Sequence, residues 1–376
     1  MRGPAARPIV IAAGGTGGHF FPAEALGAEL LARGHRVVLM TDARSGGQQS
    51  PVFSGHEQYV LSGAGIAGRG VVRAGKALLS LGVGVAQARR ILSRIDAAVV
   101  VGFGGYPCVA PVLGASLAGR GAGVILHEQN AVMGRANRFL ARCASVLALS
   151  FAATRLVPAG KRSIVTGNPV RPDIGALSQV PYEPPVERIN LLVLGGSLGA
   201  RVFSDVVPAA LAQLPPALRD RVAVVQQCRK EDLDRVRAAY EGSGLSAELS
   251  PFFANVAERL ALAHLVIARA GASTVAELAV AGRPAILVPL PIAIDDHQTA
   301  NAAALAQAGG AWPMPQPSFT PTALAERLTT LLENPGGLVT AAAAARSQAR
   351  ADAASGLADL VEQTLSQSAT MAGERT

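Results

Sequence analysis

The stretch AAGGTGGHFFPAEAL, Ala12 to Leu26, decides the fold. It follows the apolar run Pro8–Ile11 and leads through GAELLARGH to a second apolar run that ends on Asp42. Strand, glycine-rich turn, helix and strand in that order open a doubly wound α/β unit. A turn of this kind leaves backbone N–H groups free at a helix N-terminus, where an anion, and a phosphate above all, is favoured. The dinucleotide fingerprint GxGxxG is not met, because the sixth position counted from Gly15 is Phe20. Asp42 does stand where dinucleotide enzymes place a ribose-binding acid, so an NAD-dependent oxidoreductase stays open as an alternative. His19 sits at the mouth of the turn, where the helix dipole favours its neutral form. It is a candidate general base, the alternative being a residue that only holds the loop.

Outward from this turn the same alternation continues. Strands are expected at Ile9–Ala12, Val37–Thr41, Ala98–Val101, Gly123–His127 and Val146–Ala148. Helices are expected at Ala23–Arg33, Lys76–Ser93, Val109–Ala118 and Arg135–Cys143. The segment Thr166–Arg188 is rich in proline and has no periodicity, which suggests an interdomain linker. Then the opening pattern returns in INLLVLGGSLGARVFSDVV. Further strands are expected at Val222–Gln226, Leu265–Ala268 and Pro284–Pro289, with helices at Lys230–Glu241, Ser273–Ala281 and Gln298–Gln307. Two copies of one architecture, each opening on a glycine turn at the carboxyl edge of its sheet, predict two domains that share one cleft. The uncharged run Ala97–Gly119 is long enough for a membrane span, but its glycines and Pro107 make it a strand, a turn and a short buried helix.

The second half adds polar groups at the same edges. LGGSLGA, Leu194–Ala200, is a second phosphate-type loop in which Ser197 can add its hydroxyl to the backbone donors. Glu277 stands about one turn into an otherwise apolar helix and suits two ribose hydroxyls. Gln298 and Asn301 are three apart on one helical face, and neutral amides suit sugar hydroxyls and an acetamido group. HEQN, His127–Asn130, follows a strand with four more polar groups. The paired acids Asp295 and Asp296 lack a third ligand, and no metal spacing, P-loop or GxSxG elbow occurs.

Charge is unevenly placed. The chain of 376 residues carries a net charge of +8. Residues 1–170 hold 18 Lys and Arg against 6 Asp and Glu, a balance of +12, whereas residues 171–376 balance at −4. A basic first half points to an anionic partner, and one Trp with few other aromatics disfavours stacked single-stranded nucleic acid. Between Ala67 and Arg94, apolar Leu78, Leu79, Leu81, Val83 and Val85 are flanked by Arg69, Arg73, Lys76, Arg89, Arg90 and Arg94. That pattern suits an anionic membrane surface, though Gly82 and Gly84 should weaken the helix. Cys108, Cys143 and Cys228 are widely spaced and read as inert thiols of a reducing cytoplasm. The apolar run near the N-terminus is too short for a secretion signal.

Seven motifs, GGTGGHFFPA, GFGGYP, HEQNAVMGRANR, TGNPVR, LGGSLGA, RAGASTVAELAVAGRPAILVPLP and DDHQTANA, stand in the order in which they occur in the MurG family, and the resemblance runs over about residues 8–365. It implies an α/β GT-B glycosyltransferase with two Rossmann-like domains. These are an acceptor- and membrane-facing domain (1–168) and a donor domain (169–340); a C-terminal helix (341–365) crosses back, and a mobile tail (366–376) follows. It implies transfer of GlcNAc from UDP-GlcNAc to the C4 hydroxyl of undecaprenyl-pyrophosphoryl-MurNAc-pentapeptide, in the last cytoplasmic step of peptidoglycan precursor synthesis. Inversion would form a β-1,4 bond. The enzyme would be peripheral on the inner membrane, need no metal or organic cofactor, and have other cell-wall assembly proteins as possible partners. By the same resemblance, Thr16, Gly17 and Gly18 lie at the phosphates, Asn130 at the GlcNAc, Arg171 near the donor and Ser197 at the UDP phosphates. Phe253 stands by the uracil. Ala272, Ser273, Thr274, Val275, Ala276 and Glu277 form the nucleoside loop, Gln298 and Asn301 read the sugar, and His19 is the base. The second glycine loop departs from the family, with Leu198 where a glutamine is common. A related GT-B enzyme acting on diacylglycerol remains an alternative.

Overall fold

The structure is a computed structural model that describes residues 7–15, 17–43, 50–62, 71–119, 121–196 and 199–373. Two compact units form, residues 1–171 with 352–376, and residues 172–351.

In the first unit the chain runs β1 (Ile9–Ala12), α1 (Gly17–Ala32), β2 (Val37–Asp42), β3 (Gln58–Leu61), α2 (Val71–Ile95), β4 (Val99–Gly102), α3 (Val109–Leu117), β5 (Gly123–Glu128), α4 (Arg135–Leu140), β6 (Val146–Leu149) and β7 (Ser163–Val165). The sheet is parallel throughout, in the order β3-β2-β1-β4-β5-β6-β7. Ile9 of β1 pairs with Val37 on one side and Val99 on the other, so the strand order reverses at β1. Alternation of side chains along each strand supplies both faces of the sheet. Val10, Ala12, Val38, Val100 and Leu126 pack on one side with Ala88, Leu92, Val112 and Leu140. Ile9, Ile11, Val37, Val99 and Val101 pack on the other with Phe20, Leu26 and Leu30 of α1.

The second unit repeats the plan. It contains α5 (Pro172–Gly175), β8 (Ile189–Leu194), α6 (Arg201–Ala212), α7 (Pro216–Arg219), β9 (Val222–Gln227), α8 (Leu233–Gly242), β10 (Ala247–Ser250), α9 (Val256–Leu262) and β11 (Leu265–Ala268). It continues with α10 (Ala272–Ala281), β12 (Ala285–Leu287), α11 (His297–Gln307), β13 (Ala311–Pro313), α12 (Pro321–Leu332) and α13 (Pro335–Ser347). The order β10-β9-β8-β11-β12-β13 is again all parallel with its reversal at the first strand. Ile189, Leu191 and Val193 form a core with Phe203, Val207, Leu211, Leu324 and Leu328.

The single helix expected over Ala341–Leu365 is two helices. α13 starts earlier, with Asn334 accepting from Gly337 N–H at 2.9 Å, and packs on α10. After Gln348–Asp352, α14 (Ala353–Gly373) packs on α1. No Gly or Pro marks the break, so tertiary packing rather than local propensity sets it. α14 buries Leu357, Ala358, Leu360 and Val361 in the core of the first unit. Each buried Leu or Val adds about 1.5–3 kcal/mol. Arg33 Nη1 reaches Asp359 at 2.6 Å and Glu362 at 3.0 Å, and His35 Nε2 lies 2.8 Å from Glu362. The helix runs on through Gly373, into the stretch expected to be a tail.

The proline-rich segment is packed, not a free linker. Ile174 and Leu177 are buried, and α5 lies on α9 and α10. Arg346 donates to the carbonyls of Leu177, Ser178, Val180 and Ala281. In α2, Gly84 has a steric reason to be glycine, since a Cβ there would stand 2.2 Å from the Ser62 carbonyl oxygen. Among the described residues no helix is long and apolar enough to cross a membrane, and Ala97–Gly119 is β4, a turn and α3. Cys108 and Cys228 are buried, and burial pushes the Cys108 thiol up to about 12.

Candidate active site

Parallel strands bring all their carboxyl ends to one edge of each sheet. In the first unit that edge carries the loop after β1, the GFGGYP turn after β4, the HEQN segment after β5 and TGNPVR after β7. α1 begins at Gly17, so the backbone N–H groups of its first turn are at the glycine loop, as an anion site requires. Thr16 lies outside the described residues. Gly18 is exposed. Arg171 stands over the Phe21 ring, 5.3 Å from its centroid. It is also near Glu24, whose carboxyl burial raises while the Ser50 hydrogen bond and the Arg171 charge pull it back.

His19 is held by the strand across the edge. Its Nδ1 lies 3.0 Å from Gln129 Oε1. Gly105 adjoins the imidazole ring, where a Cβ would come to 3.3 Å from His19 Cδ2. Gln129 Nε2 reaches the Phe103 carbonyl at 3.0 Å and His127 Nδ1 at 2.9 Å. His127 Nε2 lies 2.9 Å from the Gly167 carbonyl. Glu128, also buried, accepts from Asn130 N–H at 3.0 Å, Asn130 Nδ2 at 3.2 Å, Gly134 N–H at 2.9 Å and Asn137 Nδ2 at 2.8 Å. The carboxylate therefore fixes the loop that presents Asn130. Gln129, His127 and Glu128 were visible only as part of a polar tetrad; that they form a buried frame was not, because only the fold shows which carbonyls they meet.

Burial lowers the His127 pKa to about 4, with the Gly167 hydrogen bond opposing and the His19 charge adding to the drop. The ordinary value is near 6.5, so the unfolded chain binds the extra proton first as pH falls. The stabilising contribution is complete above pH 6.5 and is lost as pH falls toward 4. We expect about 3 kcal/mol to disappear over that window. Urea unfolding of the parent and of His127→Gln across this range checks it. Equal pH slopes would show that His127 is not the responsible group.

In the second unit the glycine loop after β8 is pinned by Gln227, a residue with no sequence signal of its own. Its Oε1 accepts from Gly195 N–H at 3.0 Å, and its Nε2 donates to Gly196 O at 3.0 Å and Pro251 O at 3.2 Å. The loop folds so closely on itself that a Cβ at Gly195 would stand 2.4 Å from Ala200 N. Ser197 and Leu198 lie outside the described residues. α10 starts at Ala272, so Ala272, Ser273, Thr274 and Val275 form its first turn, with Ala276 and Glu277 in the next. Arg269 donates to the carbonyls of Val288 and Pro289 and to Gln316 Oε1, tying the loop before α10 to the segments after β12 and β13.

The two amides expected at the sugar, Gln298 and Asn301, have holding contacts within the protein. Gln298 Oε1 accepts from Leu290 N–H at 3.0 Å, and Asn301, fully buried, donates from Nδ2 to the Ala270 carbonyl at 3.1 Å. Phe253 is only 6% exposed, with Arg259 stacked 4.1 Å from its ring centroid, whereas its neighbour Phe252 is 72% exposed. Of that pair, Phe252 is the ring at the surface. Asp295 and Asp296 take positive φ in a tight turn, and Asp296 accepts from Thr299. Among the described residues no three His, Cys, Asp or Glu gather as a metal cluster.

Residues 9–148 match the glycosyltransferase family 28 N-terminal domain, and residues 190–357 match its C-terminal domain. A protein of Granulibacter bethesdensis, named as the UDP-N-acetylglucosamine–N-acetylmuramyl-(pentapeptide) pyrophosphoryl-undecaprenol N-acetylglucosamine transferase, is 64% identical over 97% of this chain and 95% of its own length. The chain belongs to the MurG family. A family member of the same name from Acidiphilium cryptum is 55% identical over 96% of this chain and 98% of its own. The crystal structure of Acinetobacter baumannii MurG superposes with a TM-score of 0.78 at 32% identity, covering 95% of this chain and 99% of that one. The two Rossmann-like sheets are thus those of a GT-B glycosyltransferase, and the MurG-family motifs are the loops at their carboxyl edges.

Proposed function

We propose that the protein transfers GlcNAc from UDP-GlcNAc to the C4 hydroxyl of undecaprenyl-pyrophosphoryl-MurNAc-pentapeptide, with inversion to a β-1,4 bond. The observation that carries this is 64% identity, over 97% of this chain, to a protein named for that reaction. The acceptor belongs to the first unit and the nucleotide to the second. As the acceptor hydroxyl attacks the anomeric carbon, His19 takes its proton and UDP departs. Negative charge on the leaving diphosphate is met by backbone N–H groups at the starts of α6 and α10. No metal or organic cofactor enters this scheme. Glu277 takes the ribose, and Asn130, Gln298 and Asn301 the sugar side.

The lipid acceptor calls for a membrane face, and α2 supplies one. Leu81 and Val85 turn inward to the core, while Leu78, Leu79 and Val83 are exposed beside Lys76, Arg89, Arg90 and Arg94. An apolar strip with a basic rim suits peripheral binding to the anionic cytoplasmic leaflet.

UDP release is the direct test. Release that depends on a short-chain polyprenyl-pyrophosphoryl-MurNAc-pentapeptide, with a disaccharide product, is expected. Release with diacylglycerol instead would keep the fold and overturn the acceptor. No release with either, together with NAD binding, would overturn the class of reaction.

A further inference from the structure

We propose that Gln129 is a positioning residue that holds His19 in its Nδ1–H tautomer, leaving the lone pair on Nε2 for the acceptor's proton. This rests on His19 being the base. A neutral imidazole left to itself prefers the proton on Nε2, which would put a donor where a base is needed. Which nitrogen carries the proton is set by the partner of the other one.

The tautomer follows from carbonyls that can only accept. The Gly167 carbonyl, 2.9 Å from His127 Nε2, requires a proton on that nitrogen. His127 is neutral at ordinary pH, so its Nδ1 holds a lone pair. That lone pair and the Phe103 carbonyl face Gln129 Nε2 at 2.9 and 3.0 Å, with the His127 carbonyl more distant at 3.3 Å, so its two N–H donors meet acceptors only. The amide cannot flip without setting its oxygen against two acceptors. Oε1 is therefore locked toward His19 Nδ1 at 3.0 Å, and an amide oxygen only accepts. The proton of neutral His19 is thereby placed on Nδ1. Four groups, Gly167 O, His127, Gln129 and His19, form one chain with a single consistent set of donors.

The surrounding ionisable groups leave this assignment intact. Glu128 turns its carboxylate to Asn130, Gly134 and Asn137, Glu24 is engaged with Ser50 and Arg171, and the Cys108 thiol donates to the Gly105 carbonyl. His127 is the neutral link in the chain itself.

Nitrogen-15 NMR of histidine-labelled protein reads the tautomer directly. The chain has six histidines, and a His19→Asn sample identifies the His19 signals. In the parent with neutral His19, the proton is expected on Nδ1. In Gln129→Met, which keeps the length but neither donates nor accepts, it should move to Nε2. In the same variant kcat should fall at least about tenfold with donor KM little changed. A parent with its proton on Nε2 would overturn the proposal even if Gln129→Met failed to fold. So would a folded Gln129→Met that kept the Nδ1–H form or full kcat. Full turnover by His19→Ala would overturn the base assignment instead, and the NMR result would still stand as a statement about the ring.

Discussion

Replacing His19 with alanine should lower turnover at saturating donor and acceptor by about 10²–10⁴-fold, the range that a positioned general base contributes. The hydroxyl of a sugar is a poor nucleophile until its proton is leaving, so a proton acceptor at the right place acts only in the transition state. kcat and kcat/KM should then fall together, with both KM values close to those of the parent. The fold should be little affected. His19 is half-buried and hydrogen-bonds Gln129, which keeps its contacts to Phe103 and His127. Turnover within a few-fold of the parent, with unchanged KM values, would show that another group takes the proton.

How much of this was legible beforehand depends on burial. Every strand expected from the sequence lies inside a sheet. The four that were missed, β3, β7, β10 and β13, are the four sheet edges. β1, β4 and β6 are buried at every position and show as unbroken apolar runs. β3 (Gln58–Leu61) and β7 (Ser163–Val165) are short and part-exposed, with no run to detect. The glycine loops were legible because tight turns at a helix N-terminus need that composition, as the positive φ of Gly15 and Gly196 and the close packing at Gly195 show. The partners that hold them were not. Gln227 at the second loop and buried Gln129 beside the first act through backbone groups and side chains whose positions exist only in the folded chain. For the same reason the motifs that place Asn301 and Phe253 at the ligand do not show the buried holding and packing contacts each side chain makes.

Arg283 shows most sharply what the proline-rich segment had concealed. The side chain is 1% exposed. Its Nε donates to the Leu260 carbonyl at 2.7 Å, which also accepts from Ala263 N–H at 3.2 Å, and its Nη2 donates to the Ala261 carbonyl at 2.8 Å, both in the last turn of α9. The guanidinium lies 5.5 Å from the centroid of Tyr182, whose hydroxyl donates to the His264 carbonyl. Two effects oppose each other in Arg283→Met. Removing the charge relieves its desolvation and its repulsion from Arg346, the two causes that lower its pKa, in that order. Against this, two buried carbonyls lose charged donors, each such bond contributing about 1.5–3 kcal/mol. The lost bonds should win, because methionine fills the volume yet meets neither carbonyl. We expect the second unit to lose about 3–5 kcal/mol. The chain has one tryptophan, Trp312 in β13, so urea unfolding followed by its fluorescence reads this unit alone. The midpoint should fall with the slope unchanged, and Arg283→Lys should recover only part of the loss, since an ammonium cannot fork to both carbonyls. A methionine variant as stable as the parent would mean that burying the guanidinium costs as much as its bonds return.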